Sequence, residues 1–390
     1  MFVKPSRAFV GKPSVVASSS GRAKKARYAR LLPSTRNSSA SRAGPSSSCS
    51  SAPVSVFGIS SNAIVRRRMP GVEIRPFSEE QLDEAAELLA ARHKRQRAVE
   101  PLLPAAFEDP AVAREEVEEL WRRDATGSAC FRGGRLVGYL LGIARDRDVW
   151  GENVWVDYAG QAFEEAEEVR DAYAAAAAEW FEQGRTRHFA QVPASEPALV
   201  ESWFRLSFGQ QQADGIREVR AATEVRVPEG FEIRRPTADD DVEALLAVDL
   251  ALPRHHRSPP VFTVRPLPTA DELRAEWAKT LAGSEETVLV GFDAGRPVAC
   301  WSVVDAKHAP EFRGLHAPEH ACYLKFAATI PEARGSGIGV ALTDASLAWA
   351  AEEGYRAMGT DWRITNLLAS RFWPRRGFRT TFLRLYRHIP

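Results

Sequence analysis

Within this 390-residue chain, the run Arg334-Gly335-Ser336-Gly337-Ile338-Gly339 combines residue types and spacing best suited to chemistry. Its glycines let the backbone bend closely around a ligand, and the first amides of a following helix would point at whatever sits there. The helix dipole puts about half a positive charge at that end, and Arg334 adds a full one. Such a place suits a pyrophosphate. A strand over residues 323–329 would lead into the loop and a helix over residues 337–353 would lead away. Two further groups could act on a substrate. Asp361, at the end of a strand over residues 357–361 and beside Arg363, could bind an amine or form a solvated ion pair. The histidines His255, His256 and His308 have metal-ligating side chains, but no second ligand at useful spacing accompanies them, so no metal is expected.

A glycine-rich turn by itself serves several nucleotide-binding folds. This one lacks the Lys-Ser/Thr ending of an NTPase loop and does not open the chain's first strand as a dinucleotide fingerprint would. Its Arg-x-x-Gly-x-Gly form is followed, one strand later, by Asn366-Leu367-Leu368-Ala369-Ser370-Arg371-Phe372-Trp373-Pro374-Arg375-Arg376-Gly377-Phe378. The two motifs in this order resemble the GNAT N-acetyltransferase superfamily, whose second motif normally reads Asn-x-x-Ala-x-x-Phe-Tyr-x-x-x-Gly-Phe. The resemblance implies an acetyl-CoA co-substrate and transfer to a primary amine of a small molecule or an amino terminus. It also implies site roles. The backbone of Phe326, Ala327, Ala328 and Thr329 would pair with the pantetheine arm, and Arg334, Gly335, Ser336, Gly337, Ile338 and Gly339 would hold the pyrophosphate. Asn366 and Phe372 would line the thiol end, reached through a splayed gap between two strands.

In the family's mechanism an amine attacks the thioester, so a base must take the ammonium proton and an acid can protonate the thiolate. Glu319 and His320 occupy the neighbourhood of the family's usual base, with an exposed loop pair as the plainer reading. The usual acid, a Tyr, is here Trp373, which has no titrating oxygen. Ser370 is the substitute, with solvent as the alternative. Trp373 also suggests a second reading of the whole chain, a non-catalytic acyl-CoA or ligand sensor.

These motifs sit in the second of two copies of one plan. Val72-Glu73-Ile74-Arg75-Pro76 opens the first copy and Phe231-Glu232-Ile233-Arg234-Arg235-Pro236 the second, each followed by an acidic amphipathic helix, over residues 79–92 and 238–250. Gly-containing hairpins follow in both, around Gly133-Gly134 and Ala294-Gly295, and Trp203 and Phe208 match Trp373 and Phe378. The expected architecture is α+β, an α/β sandwich with helices on the faces of a mixed sheet. It consists of two tandem GNAT-like domains, residues 69–229 and 230–390, after a leader of residues 1–68. In the second copy a Pro/His-rich segment, residues 252–269, is expected to separate two helices. The first copy lacks the loop. At the corresponding helix start it carries Glu164, Glu165, Glu167 and Glu168, which would repel a pyrophosphate, so this domain is expected to be degenerate and to support the fold, shape the groove or mediate pairing into a homodimer.

Composition narrows the partners. Residues 1–68 hold thirteen Lys/Arg and no Asp or Glu, are rich in Ser, and cannot build a core. They read as a disordered leader, either a targeting peptide or a stretch before a true start at Met69. Residues 69–229 carry 19 Lys/Arg against 31 Asp/Glu, a net −12, which argues against a nucleic-acid surface and would favour a cationic acceptor. Four scattered cysteines show neither metal nor disulfide spacing. No apolar run approaches a membrane span. A cytoplasmic protein is expected.

Overall fold

The computed structural model describes residues 71–146, 150–220, 224–263, 265–283 and 285–390. The leader lies outside these residues. In the first half, β1 (Val72–Pro76) leads through a tight turn into α1 (Leu82–Val99). Ser78 and Gln81 form a capping box at that entry, the Ser78 amide donating to Gln81 Oε1 at 2.7 Å. Helix α2 (Pro110–Arg122) starts on Asp109, whose carboxylate accepts the Ala111 amide at 2.9 Å, with proline at the position where a missing N–H costs nothing. Strands β2 (Thr126–Arg132) and β3 (Arg135–Arg145) are joined by Gly133 and Gly134, both at positive φ as a two-residue hairpin requires. Then come β4 (Asn153–Val156), β5 (Gln161–Phe163), α3 (Glu168–Glu182), β6 (Arg187–Pro193), α4 (Pro197–Phe204) and β7 (Gly209–Glu218).

The second half repeats this order. It runs β8 (Phe231–Arg234), α5 (Val242–Arg257), α6 (Ala270–Leu281), β9 (Thr287–Asp293), β10 (Arg296–Asp305), β11 (Ala321–Thr329), α7 (Ile338–Glu352), β12 (Ala357–Arg363), α8 (Ala369–Arg375) and β13 (Arg379–His388). Strands β4 and β5 together occupy the place of β11. One expectation is corrected. The start of the Pro/His-rich segment is not a break, because α5 continues through Pro253 to Arg257 and carries both His255 and His256 on its last turn.

The strands form a mixed sheet in the order β1-β2-β3-β4-β6-β13-β7-β12-β11-β10-β9-β8, with β5 also on β3. The middle of that order departs from two self-contained copies. Strand β13, from the end of the second half, lies between β6 and β7, while β7, from the end of the first, lies between β13 and β12. Each half therefore completes the sheet of the other, and residues 71–390 belong to one compact unit. In both halves a parallel pair opens after four residues: β4 with β6 over Asn153–Val156, and β11 with β12 over Ala321–Leu324. Alternate side chains send one strand face against α3 or α7, around Trp180 and Leu342, and the other against α1 with α2 or α5 with α6, around Leu89 and Leu245. No helix among the described residues is long and apolar enough to cross a membrane.

Candidate functional site

The glycine-rich loop is held as its sequence suggests. β11 ends at Thr329, a 3-10 turn spans Pro331–Ala333, and α7 begins at Ile338. Gly335 and Gly337 have φ of 83° and 93°, the left-handed region where a side chain costs roughly 1–2 kcal/mol. Ser336 Oγ donates to the Ala333 carbonyl at 2.8 Å and accepts the Ile338 amide at 3.3 Å, which fixes the turn from inside. The Val340 and Ala341 amides bond to the Gly337 carbonyl. Among the described residues the amides of Gly335, Gly337 and Gly339 have no partner, so three donors stand at the positive end of a fifteen-residue helix. Arg334 Nε is tied to the Thr329 carbonyl at 3.2 Å, which holds its exposed guanidinium at the same end.

From this loop a cavity of about 400 Å³ runs along β11. Of the residues expected to hold the co-substrate, Ala327, Ala328, Thr329, Arg334, Gly335, Gly337, Gly339, Asn366 and Phe372 line it. Three do not. Ser336 lies on the wall of a second cavity of about 800 Å³, which shares His255, Ala333 and Arg334 with the first and adds Arg254 and Arg296. Phe326 packs beside Ala328 in the cluster under α5, and the Ile338 side chain is buried in the core beneath the loop, so only its backbone is at the site. Pairing of β11 with β12 stops at Leu324 and Thr360, so beyond this point the β12-facing edge of β11 is open.

Asn366 does more than line the cavity. Its Oδ1 accepts the amides of Leu368 and Ala369, both at 3.2 Å, capping α8, the helix that presents Phe372 and Trp373 to the cavity. The same oxygen accepts His255 Nε2 at 3.0 Å, and Asn366 Nδ2 faces His256 Nε2 at 3.4 Å. Burial lowers the His256 pKa to about 4, so His256 is neutral at pH 7 and can accept that bond. These histidines, read from the sequence only as potential metal ligands, instead tie α5 to α8. Among the described residues no group of three or more His, Cys, Asp or Glu side chains is placed to hold a metal ion.

The expected base and acid are not brought to the cavity. Glu319 and His320 are exposed in the turn before β11, at the end of that strand opposite Ala327–Thr329. With about 3.3 Å per residue, six residues of strand separate them by roughly 20 Å from that wall. Ser370 lines neither cavity, although its neighbours Ala369, Phe372 and Trp373 do. Asp361 forms no ion pair with Arg363. It accepts a hydrogen bond from the Tyr323 hydroxyl, one residue beyond the last β11–β12 pair. Directly across from it in register, on β7 of the first half, lies Asp214, which accepts the Tyr158 hydroxyl at 2.9 Å. Asp214 is 3% exposed, and burial, then the charge of Asp361, raise its pKa to about 7, with Arg384 opposing. Asp214, Tyr158, Tyr323 and Arg384 escaped the sequence reading, because only the strand exchange brings the first-half residues to this point.

In the first half the equivalent places are filled by the chain itself. The Glu168 side chain is fully buried at the start of α3, accepting Arg132 Nη2 at 2.7 Å and the Glu165 amide at 3.2 Å. Glu164, Glu165 and Glu167 pair with Arg135, Arg132 and Arg170. Past the opened β4–β6 pair, Gln161 Nε2 bridges to the Gln191 carbonyl at 2.8 Å, and Trp203 Nε1 bonds to Gln161 Oε1 at 3.0 Å. The buried Arg92 guanidinium donates to the Gln161 and Tyr158 carbonyls. A strand edge that is open in the second half is bridged here.

An open parallel pair, a free-amide helix start and a groove joining them define a class: an α+β protein shaped to hold a long thin ligand by an anionic end. Residues 253–378 match the family model described as Acetyltransferase (GNAT) family, which marks this segment as GNAT-like. A GCN5-related N-acetyltransferase from Sphaerobacter thermophilus shares the fold at 14% identity and a TM-score of 0.51, over 81% of this chain and 95% of that one. A tandem GNAT protein from the clavulanic acid biosynthesis pathway is similar at 17% identity and 0.44, over 81% and 97%. A GCN5-related N-acetyltransferase from Kribbella flavida is similar at 16% and 0.40, over 72% and 95%. No protein with a curated description matches the chain.

Proposed function

We propose that the protein is an N-acetyltransferase that moves the acetyl group of acetyl-CoA to a primary amine of a small molecule, at one active site in the second half. The observation that carries this reading is the continuity of the groove, from three unpartnered amides beside Arg334 to the open edge of β11 and on to the α8 wall. Those amides and Arg334 would hold the pyrophosphate. The open edge of β11 would bond to the pantetheine arm, and Arg254 and Arg296 in the adjoining cavity would face the nucleotide end.

The carboxylate pair Asp361 and Asp214 supplies the base. Asp361, half-buried at the end of the paired segment and, like Asp214, outside the lining of both cavities, takes the ammonium proton, and buried Asp214 keeps the pair from holding two negative charges cheaply. The freed nitrogen attacks the thioester carbon, the carbon–sulfur bond breaks, and the acetyl group passes to nitrogen. The departing sulfur needs a proton. Trp373 cannot give one, and His255 is the only imidazole on the cavity wall. The first half is left to complete the sheet and supply Asp214. Three described cysteines are free and buried, which fits a reducing compartment such as the cytoplasm.

Release of free thiol from acetyl-CoA in the presence of an amine panel tests the reading on the full chain. Trp373 at the family's Tyr position favours the alternative of an acyl-CoA sensor, for which tight binding without thiol release is the expected outcome. Gly337→Glu places a carboxylate and a left-handed strain at the anion end. Loss of acetyl-CoA binding by calorimetry is expected; unchanged affinity refutes the loop's role.

A further inference from the structure

The acceptor side of the sheet carries a charge pattern that the acyl-transfer reading alone does not explain. Register across β12, β7, β13 and β6 places Arg363, Gln212, Arg384 and Gln191 in one row. Asp361, Asp214 and Phe382 form another row, two residues along. Residues two apart on a strand share a face and stand roughly 6.6 Å apart. The acids are each answered by a phenol, Tyr323 or Tyr158. The guanidiniums make no contact with the acids and feel them only at longer range. Arg384 donates to the side-chain oxygens of Gln211 and Gln212. The Arg363 side chain has no hydrogen bond and no carboxylate in ion-pair range among the described residues, and the charge of Asp361 reaches it only from farther off. The guanidinium stacks on an aromatic ring, Trp150 of the first half, 4.9 Å from Arg363 Cζ, which Arg384 Cζ also approaches, at 5.8 Å.

A half-buried cation beside a second cation and with no carboxylate in contact is costly to maintain. Burial, then the charge of Arg384, bring the Arg363 pKa down to about 9, so it is still charged at pH 7. His256 on α5 faces the same guanidinium but is neutral there and offers no compensation. The planar fork of an arginine, stacked on an indole and otherwise unoccupied, matches a carboxylate. Arg384 is already held by amides, which leaves the Arg363 fork as the open one.

Resting on the acetyl-transfer reading, we propose that this face between the halves is the acceptor pocket and that it selects amines that also carry a carboxylate, the ammonium toward Asp361 and the carboxylate on Arg363 above Trp150. The first half then contributes to acceptor choice through Trp150 and Asp214, and not through the overall acidity of residues 69–229. An amino acid class of acceptor follows, in place of the polyamine-like acceptor that net charge alone would favour.

The test uses the full chain, acetyl-CoA and matched pairs of amines: glycine, β-alanine and lysine, each with its carboxamide. Thiol release should give a kcat/KM for at least one acid at least about ten-fold above its carboxamide, because the amide leaves a buried charge unpaired. Arg363→Met should collapse that acid-to-amide ratio to about one, and Arg363→Lys should restore part of it. Amides used as well as acids, or a ratio that Arg363→Met leaves intact, overturn the pocket while the transferase reading stands. If no amine releases thiol, tryptophan fluorescence titrated with the same compounds decides. Acid-selective quenching upholds the pocket and removes the transferase reading; equal or absent quenching removes the pocket.

Discussion

Asp214 is a first-half residue with a second-half role, and its ionisation makes a prediction at the residue scale. Its pKa of about 7 has burial as the first cause and Asp361 as the second. If the pair is the base, it is competent only when unprotonated, so kcat/KM should rise with pH through about 7 and level off above it. The same shift is a stability statement of opposite sense. A carboxyl whose folded pKa lies above its unfolded value of about 4 stabilises the fold below that value and loses this as pH climbs through about 7. Asp214→Asn should therefore move the rate inflection down and slow the reaction, yet make the protein more stable at pH 8, by up to about 4 kcal/mol. Rate profiles and urea unfolding at pH 5 and pH 8 check both halves of the statement. A variant that is less stable at pH 8 than at pH 5, relative to the parent, contradicts it. Asp361 was legible in the sequence as an amine-binding candidate. Asp214 was not, because nothing local to Gln210-Gln211-Gln212-Ala213-Asp214 says which strand it will face.

Among elements, the last turn of α5 and the first turn of α8 depend on one residue. Asn366 is 3% exposed and gathers two helix-start amides, His255 and His256 on a single carboxamide. Asn366→Ala should cost about 1–2 kcal/mol in urea unfolding from the lost cap alone, and loosen the wall bearing Phe372 and Trp373, raising the KM for acetyl-CoA. Asn366→Asp keeps a capping oxygen and should lose less; equal losses would mean that the cap is not what Asn366 provides. The sequence placed α8, α7 and the hairpins well because their signals are local: glycine-containing turns at positive φ and an apolar period. It stopped α5 early because Pro253 removes a backbone donor and crowds the carbonyl a turn before it, ordinarily at a cost of about 3 kcal/mol. The contacts that outweigh this, His255 and His256 on Asn366 more than a hundred positions away, are tertiary and leave no periodic trace.

For the whole molecule the decisive feature is the exchange of β7 and β13. The two strands end equivalent halves, each could close its own sheet, and the repeat in the sequence says only that both exist. In the structure β13 is in register with β6 from Phe382 to His388 and with β7 from Arg379 to Tyr386, so the first half's sheet is joined to the second half's last strand along its length. Arg379 on β13 also pairs with Glu100 at the end of α1, a carboxylate that is 8% exposed. Neither half has a complete sheet by itself, and an open sheet edge of this length exposes a row of unpaired backbone groups. The two halves should therefore unfold as one. Native-state hydrogen exchange in urea should release the amides of β4 and β6 at the same free energy as those of β11 and β12. A chain ending at residue 378 should lose protection in β4 and β6, although no residue of the first half has been removed. Earlier release of the first half, or its survival without β13, would show that it folds on its own and that the exchange is only a contact between independent domains.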